Sequence, residues 1–110
     1  MKFINKVIMR GIVGNASVNQ VGDKDSIAFS LVTNHCYRDK QGNAIVDTLW
    51  VNVTAFVETG SELSEKIKKG ATIEVEGRLR LVKHVDAYGT EVRTPQIVAK
   101  TLKVIEKDEL

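Results

Sequence analysis

Hydrophobic and polar residues alternate over residues 47–56, and this period of two predicts a β-strand with one buried and one open face. The apolar residues of one parity, which we expect to face the core, are Leu49, Val51, Val53 and Ala55. The other parity is polar except for two large aromatics, Trp50 and Phe56. Such aromatics are costly on an open face, so we expect a loop, a subunit or flat ligands such as nucleobases to cover them.

Four further segments have the pattern of strands: residues 3–13, 26–37, 72–82 and 90–105. The first is apolar on both parities, which indicates either burial on both faces or a subunit contact on one, and in a small antiparallel domain we favour the contact. It bends at Gly14 and continues over residues 15–20. In the fourth strand, the residues predicted to point inward are Ile73, Val75, Leu79 and Leu81. Gly77 shares their parity, at a position where a strand bends to close a barrel.

One segment, residues 59–70, has a helical pattern. Thr59 and Glu62 fit a capping box, and Gly70 stands where a C-terminal glycine ends a helix. Three strands, one helix and two strands in this order are typical of the OB-fold, a five-stranded Greek-key barrel with its helix between strands three and four. We therefore predict an all-β OB-fold domain over residues 1–105 and a short acidic C-terminal end over residues 106–110.

The composition limits the possible classes of protein. The chain has 110 residues, of which 43% are hydrophobic, enough for one domain with a core. The single cysteine, Cys36, excludes an internal disulfide and a cysteine pair for zinc, and no apolar run reaches membrane-spanning length. His35 and Cys36 are adjacent on a strand and point to opposite faces, so they cannot form a catalytic dyad. We expect no enzyme activity, no cofactor, no metal site and no membrane contact.

Positive charge is concentrated in the last third of the chain, although the net charge is only +2. Between residues 78 and 103 the basic residues are Arg78, Arg80, Lys83, Arg93, Lys100 and Lys103. The acids of the same stretch are Asp86 and Glu91. A local excess of this kind attracts polyanions more strongly than the total charge suggests.

Aromatic and cationic side chains are interleaved on the predicted open strands and hairpin tips. This combination suits single-stranded nucleic acid, because unpaired bases stack on flat rings while guanidinium and ammonium groups follow the phosphates. A duplex hides its bases, and a barrel face has no helix to enter the major groove. The candidate nucleic-acid-binding residues are Lys6, Tyr37, Arg38, Lys40, Trp50, Phe56, Arg78, Arg80, Lys83, His84, Tyr88 and Arg93.

Several of these residues have a second interpretation. Arg78 and Arg80 are also typical of a solvated sheet edge, and His84 of a polar surface position. Strict alternation from Phe29 puts Tyr37 on the core parity, so it faces outward only if a bulge intervenes or the strand has already left the barrel.

At these residues the sequence resembles the bacterial-type single-stranded DNA-binding protein family. The resemblance covers nearly the whole chain and is strongest over residues 29–31, 37–40, 48–53, 63–70 and 74–80. It implies an OB-fold that assembles as a homotetramer, often through the first strand, with DNA on its outer surface. It also implies stacking roles for Tyr37, Trp50, Phe56 and His84. The first and last of these positions are often tryptophan in the family, and histidine stacks more weakly.

The resemblance implies sequence-non-specific binding of single-stranded DNA in replication, recombination or repair, at a cytoplasmic, nucleoid-associated location. Family members usually carry a Gly/Pro-rich tail whose acidic, aromatic-ended tip recruits other enzymes. This chain stops at Leu110, so we do not expect recruitment by that route. Two alternatives are a tail-less primosomal-type protein that acts as a dimer mainly through protein partners, and an OB module that binds proteins only. Charge and rings suit either nucleic acid, and only the resemblance favours DNA over RNA.

Overall fold

Five long strands and one short helix are present in residues 1–106, which are the residues that the computed structural model describes. The elements are β1 (Val7–Val21), β2 (Lys24–Arg38), β3 (Ala44–Glu58), α1 (Glu62–Lys66), β4 (Thr72–Val85) and β5 (Glu91–Ile105). Their order confirms the prediction of three strands, one helix and two strands. The acidic end predicted for residues 106–110 lies, apart from Glu106, outside the described residues.

The strands close into a barrel in the ring order β1-β2-β3-β5-β4, which confirms the predicted OB-fold. Neighbouring strands are antiparallel except β3 and β5, which meet in a short parallel contact from Asn52–Gln96 to Thr54–Val98. Burial of apolar side chains inside the ring supplies the main driving force for folding. The buried cluster consists of Val13, Ile27, Phe29, Leu31, Val53, Ile67, Ile73, Val75 and Ile97.

The ladder between β4 and β5 changes register at Gly77, where the sequence predicts a bend. The pairing passes from Glu76–Thr101 to Gly77–Ala99, so Lys100 is an extra residue of β5 without a ladder partner. Such a bulge bends the strand and increases its twist. An added Cβ on Gly77 would lie 2.1 Å from a backbone oxygen of β5, so a larger residue requires a backbone shift.

Beyond the barrel, β2 with β3 and β4 with β5 continue as two-stranded arms. One arm ends at the pair Arg38–Ala44, and the other at Val85–Glu91. Three residues predicted for the core are instead exposed at the rim or on the arms: Leu49 (53%), Leu79 (43%) and Leu81 (60%). Those three predictions are wrong because alternation identifies the faces of a strand but not the point at which the strand leaves the barrel.

The helix is shorter than predicted and has a different cap. It spans Glu62–Lys66, and its N-cap is Ser61, whose hydroxyl accepts a hydrogen bond from the Leu63 N–H at 3.2 Å. The predicted capping role of Thr59 is wrong, because its hydroxyl points towards Asp25 at 3.4 Å. Gly70 does not end the helix either. With a φ of 92° it turns the chain, and it donates its N–H to a carbonyl of β1 at 2.9 Å.

The first strand begins at Val7 rather than at residue 3, and a bulge interrupts it next to Gly14, where we predicted a bend. β1 pairs with β4 from Val7 to Ile12, whereas β2 joins it only from Ile12 onwards. Over residues 7–11 the second edge of β1 therefore has no strand partner in the described chain. Ile8 and Ile12 point outward and are at least half exposed, as expected for a strand that is apolar on both parities.

Replacing Gly77 with alanine is expected to destabilise the barrel by about 1–3 kcal/mol, because the new methyl group would overlap backbone atoms of β5. Chemical denaturation followed by circular dichroism measures the change in the free energy of unfolding. Gly22→Asn is the matched control, since an added Cβ there meets nothing within 4 Å and asparagine tolerates the φ of 65°. Equal stability of the two variants would contradict the close approach of β5 to Gly77.

Candidate nucleic-acid interface

The outward residues of β3, β5 and β4 form one continuous surface, which we call the open face. Asn52 of β3 lies opposite Gln96 of β5, and Gln96 lies opposite Arg80 of β4. The next row of the same face consists of Thr54, Val98 and Arg78. β5 therefore lies between the predicted stacking strand and the two predicted arginines, and it holds them on one surface.

Trp50 and Phe56 share the outward parity of β3 and lie on either side of these rows. Their exposed fractions are 59% and 61%, so more than half of each residue faces solvent. This exposure leaves a surface on which a planar ligand can stack.

A hydrogen-bonded chain crosses the open face from β4 to β3. Arg80 donates from Nε and Nη2 to Oε1 of Gln96 at 3.1 and 2.9 Å. Gln96 in turn donates from Nε2 to the hydroxyl of Thr54 at 2.5 Å. Two of the five N–H donors of the guanidinium are used in this way, so three are available to an anion. Gln96 thus fixes the position of a cation in the row of Asn52, which lies between the positions of Trp50 and Phe56 along β3.

The indole of Trp50 lies across β2 and rests over Gly14 of β1. An ideal Cβ on Gly14 would lie 2.4 Å from Cζ3 of the indole and 2.8 Å from the hydroxyl of Ser30. The same hydroxyl accepts the N–H of Asn15 at 3.0 Å, which holds the bulge of β1 in place. The missing side chain at Gly14 therefore makes room for the ring.

Phe56 borders a basic groove that continues around the barrel. Phe56 and Lys100, the bulged residue of β5, line the same depression of about 310 Å³. Lys100 also lines a neighbouring groove of about 590 Å³ together with Arg78 and Lys6. Arg78 and Lys100 have no ion-pair partner among the described residues, whereas Lys6 lies 3.2 Å from Glu76. The groove therefore presents two uncompensated cations beside an exposed ring.

The side chain of Asn5 fixes the N-terminal segment at this groove. Its Nδ2 donates to the carbonyl oxygen of Leu79 at 2.7 Å, and its Oδ1 accepts the Leu79 N–H at 3.0 Å. The side-chain amide thus takes the place of a strand partner at the edge of β4, just before β1 begins at Val7. This contact keeps Lys6, the next residue, beside the groove.

His84 lies on the β4–β5 arm, beside the place where this arm leaves the barrel. A recess of about 150 Å³ at this place is lined by Asn52, Val82, His84, Thr94 and Gln96. The amide of Asn52 has no hydrogen-bond partner in the described chain, so a donor and an acceptor are available there. The structure therefore brings His84 to the open face, as the sequence predicts.

Tyr37 does not share the face of Trp50. The β2–β3 ladder has no register shift up to Arg38, so Tyr37 keeps the core parity of Phe29. It is solvent-accessible because the strand has left the barrel, which is one of the two arrangements that the sequence allows. Its ring stacks on that of His35, with centroids 5.9 Å apart.

Two of the predicted cations, Lys83 and Arg93, lie on the reverse side of the β4–β5 arm. They are directly paired across the ladder and share the parity of the buried Ile97, opposite to that of His84. The structure therefore does not place them on the open face, and both contact Glu91.

Arg38, Lys40 and Tyr88 lie at the arm tips. Arg38 donates to the Gly42 carbonyl at 2.8 Å, and Tyr88 is 93% exposed. The first tip is held by Asp39, whose carboxylate accepts the N–H groups of Asn43 and Gln41, each at 2.9 Å. The bond from Asn43 is the main cause that lowers the pKa of Asp39. The loop therefore has this support at neutral pH and loses it as the pH falls through the lowered pKa.

Three residues of the interface were missing from the predicted set. Lys100 counted only towards the local charge excess, because sequence alternation gives no sign of a bulge in β5. Gln96 shares the parity of Thr94 and Val98, and its partner on β4 depends on a register that the sequence does not show. Gly14 was interpreted as a bend, whereas the indole lying over it comes from a distant strand.

Within residues 1–106, no helix is long and apolar enough to cross a membrane. The same residues contain no group of three or more His, Cys, Asp or Glu side chains that could hold a metal ion.

The closed barrel and its open face are those of an OB-fold domain. Residues 4–105 match the model of the Single-strand binding protein family, and the chain belongs to that family. A family of binding proteins agrees with the prediction that the chain is not an enzyme.

Similar proteins share this description. The chain is 33% identical over 105 residues to a single-stranded DNA-binding protein of Xanthomonas campestris, and 28% identical over 104 residues to one of Neisseria meningitidis. Each match covers 93% of this chain and 60% of the relative, so the chain spans about three fifths of the length of these curated relatives.

Two solved structures have the same fold. A Plasmodium falciparum SSB in complex with ssDNA superposes with a TM-score of 0.83 at 23% identity, over 96% of this chain and 98% of that one. A small single-stranded DNA-binding protein from Streptomyces coelicolor gives 0.73 at 20% identity, over 96% of each chain.

Replacing Gly14 with alanine is expected to displace the indole of Trp50, because the added methyl group would occupy the space of the ring. Trp50 is the only tryptophan, so its emission maximum and its quenching by acrylamide report the ring alone. Ser17→Ala, on the same strand beyond the bulge, is the control. An unchanged emission spectrum in Gly14→Ala would contradict the packing of the ring on β1.

Proposed function

We propose that the protein binds single-stranded DNA on the open face, with little sequence preference. The observation that carries the proposal is that one face holds two half-exposed aromatic residues, Trp50 and Phe56, together with two arginines, Arg78 and Arg80. Stacking contributes about 1–3 kcal/mol per base and is available to every base. The arginines lack acidic partners, so they can meet phosphates without first breaking an ion pair.

The path of the strand follows from the arrangement of rings and cations. One base stacks on Trp50, and the backbone then passes Arg80, which Gln96 holds in place. The next stacking position is Phe56, where Lys100 and Arg78 face the phosphates. The names of the curated relatives and the ssDNA complex of the Plasmodium SSB support DNA as the ligand. Such binding protects unpaired DNA during replication, recombination or repair, at the nucleoid in the cytoplasm.

Titration with oligo-dT is expected to quench Trp50 and to give an affinity that falls steeply with salt, because neutralised phosphates release counterions. Trp50→Ala and Phe56→Ala, measured by anisotropy of a labelled oligonucleotide, should each weaken binding by about 1–3 kcal/mol. Val18→Ala is the control, since Val18 is an exposed apolar residue that pairs with the buried Ile27 and so has the parity opposite to that of the open face.

Competition with RNA and duplex DNA at two salt concentrations completes the test. Single-stranded DNA should compete best and duplex worst. Equal competition by duplex, or an affinity that does not depend on salt, would contradict the proposal and favour a protein partner on the open face.

We also propose that the chain forms a homo-oligomer, a tetramer in preference to a dimer, through β1. Residues 7–11 present an open strand edge in the described chain, and a second copy can pair with it. The outward Ile8 and Ile12 lie on this half of the strand and give such a contact an apolar surface.

Mass measurement in solution is expected to give a tetramer, and Ile8→Lys should shift it towards smaller species by placing a charge in the contact. The variant should fold, because Ile8 lies opposite Glu76 and an opposite charge is favourable there. Val18→Lys, on the half of β1 that pairs with β2, is the control. A monomeric wild type would contradict the proposal, and a dimer would favour the primosomal-type alternative.

A further inference from the structure

The β4–β5 arm carries two cations in direct opposition. Lys83 and Arg93 are cross-strand partners on the reverse side of the arm, away from the open face. Like charges in directly opposite positions destabilise a sheet unless an anion lies between them. An anion bound between the two cations therefore stabilises the arm.

In the free protein that anion is Glu91. Its Oε1 lies 3.1 Å from Nζ of Lys83 and 3.6 Å from Nε of Arg93. All three side chains are more than half exposed, so each pair contributes little to stability and can exchange. One carboxylate oxygen thus serves two cations and leaves the site with a net charge of about +1.

We propose that Lys83 and Arg93 form a phosphate site for the nucleic-acid backbone on the reverse side of the arm, and that Glu91 is the counter-ion which a phosphate displaces. This inference rests on the proposed function, because it assigns a second contact region to the same ligand. A backbone phosphodiester carries the same single negative charge as the carboxylate, and its two non-bridging oxygens can contact one cation each.

Glu91 therefore limits how strongly the arm holds the strand. At the groove of the barrel, Arg78 and Lys100 gain a phosphate without losing a partner. On the arm, each phosphate gained is offset by the loss of the carboxylate. The barrel should thus hold the backbone more tightly than the arm.

The test compares Glu91→Gln with Glu62→Gln. Both remove one negative charge that pairs with lysine, but Glu62 pairs with Lys66 on α1 at 3.7 Å, away from the arm. Oligo-dT affinity is measured for each full-length variant across a salt series. Because the salt slope for single strands is about −0.7 per neutralised phosphate, Glu91→Gln should steepen it by about 0.7–1.4. It should also bind several-fold more tightly at low salt, while Glu62→Gln keeps the wild-type slope.

A second variant separates displacement from a general charge effect. Lys83→Gln should make the slope shallower by about 0.7 in the Glu91→Gln background and by less in the wild type, where its charge is already compensated. Thermal unfolding of each variant shows that the arm and barrel stay folded.

Coincident slopes for Glu91→Gln and Glu62→Gln, or weaker binding by Glu91→Gln, would overturn the inference while leaving binding on the open face intact. A wild type that binds no single strand at any salt concentration would overturn the proposed function, and this inference with it.

Discussion

The short parallel contact between β3 and β5 is the interaction on which the rest of the structure depends. It joins the β1–β2–β3 sheet to the β4–β5 ribbon and so closes the ring. It also puts the aromatic residues of β3 on the same face as the arginines of β4, which otherwise belong to separate hairpins. Gln96 reinforces the contact, because its one side chain forms hydrogen bonds to Thr54 on one neighbour and to Arg80 on the other. Closure and the binding surface therefore share the same residues.

Much of this arrangement follows from alternation. The period of two in β3 predicts that Trp50 and Phe56 are outward, and the inward Gly77 predicts a bend, because both depend on local geometry. Alternation does not show how far along each strand the barrel extends. Leu81 has the pattern of a core residue, yet it lies on an arm with no second sheet to cover it. The position of Lys100 in a bulge could not be predicted for a related reason, since a bulge depends on the partner strand as well as on its own sequence.

The arms also divide the predicted binding residues between two surfaces. Trp50, Phe56, Arg80 and His84 have outward parity, whereas Tyr37, Lys83 and Arg93 have the parity of the core and become accessible only where the strands leave the barrel. A polymer that contacts both sets must pass around the edge of an arm. A flexible single strand can make such a turn, and a stiff duplex cannot do so without a large bending cost.

The seam between β1 and β4 has a consequence for synthesis of the chain. It pairs Ile8 with Glu76, so the ring can form only after the last third of the chain has been synthesised. On the ribosome, the nascent β1–β2–β3 meander emerges first and exposes both edges of its sheet. Contacts of such high sequence separation slow folding, and unpaired strand edges invite association with neighbouring chains. The charged pairs Lys6–Glu76 and Arg10–Glu74 join the two strands along this seam only after β4 has emerged, so until then β1 keeps both an open edge and unpaired charges.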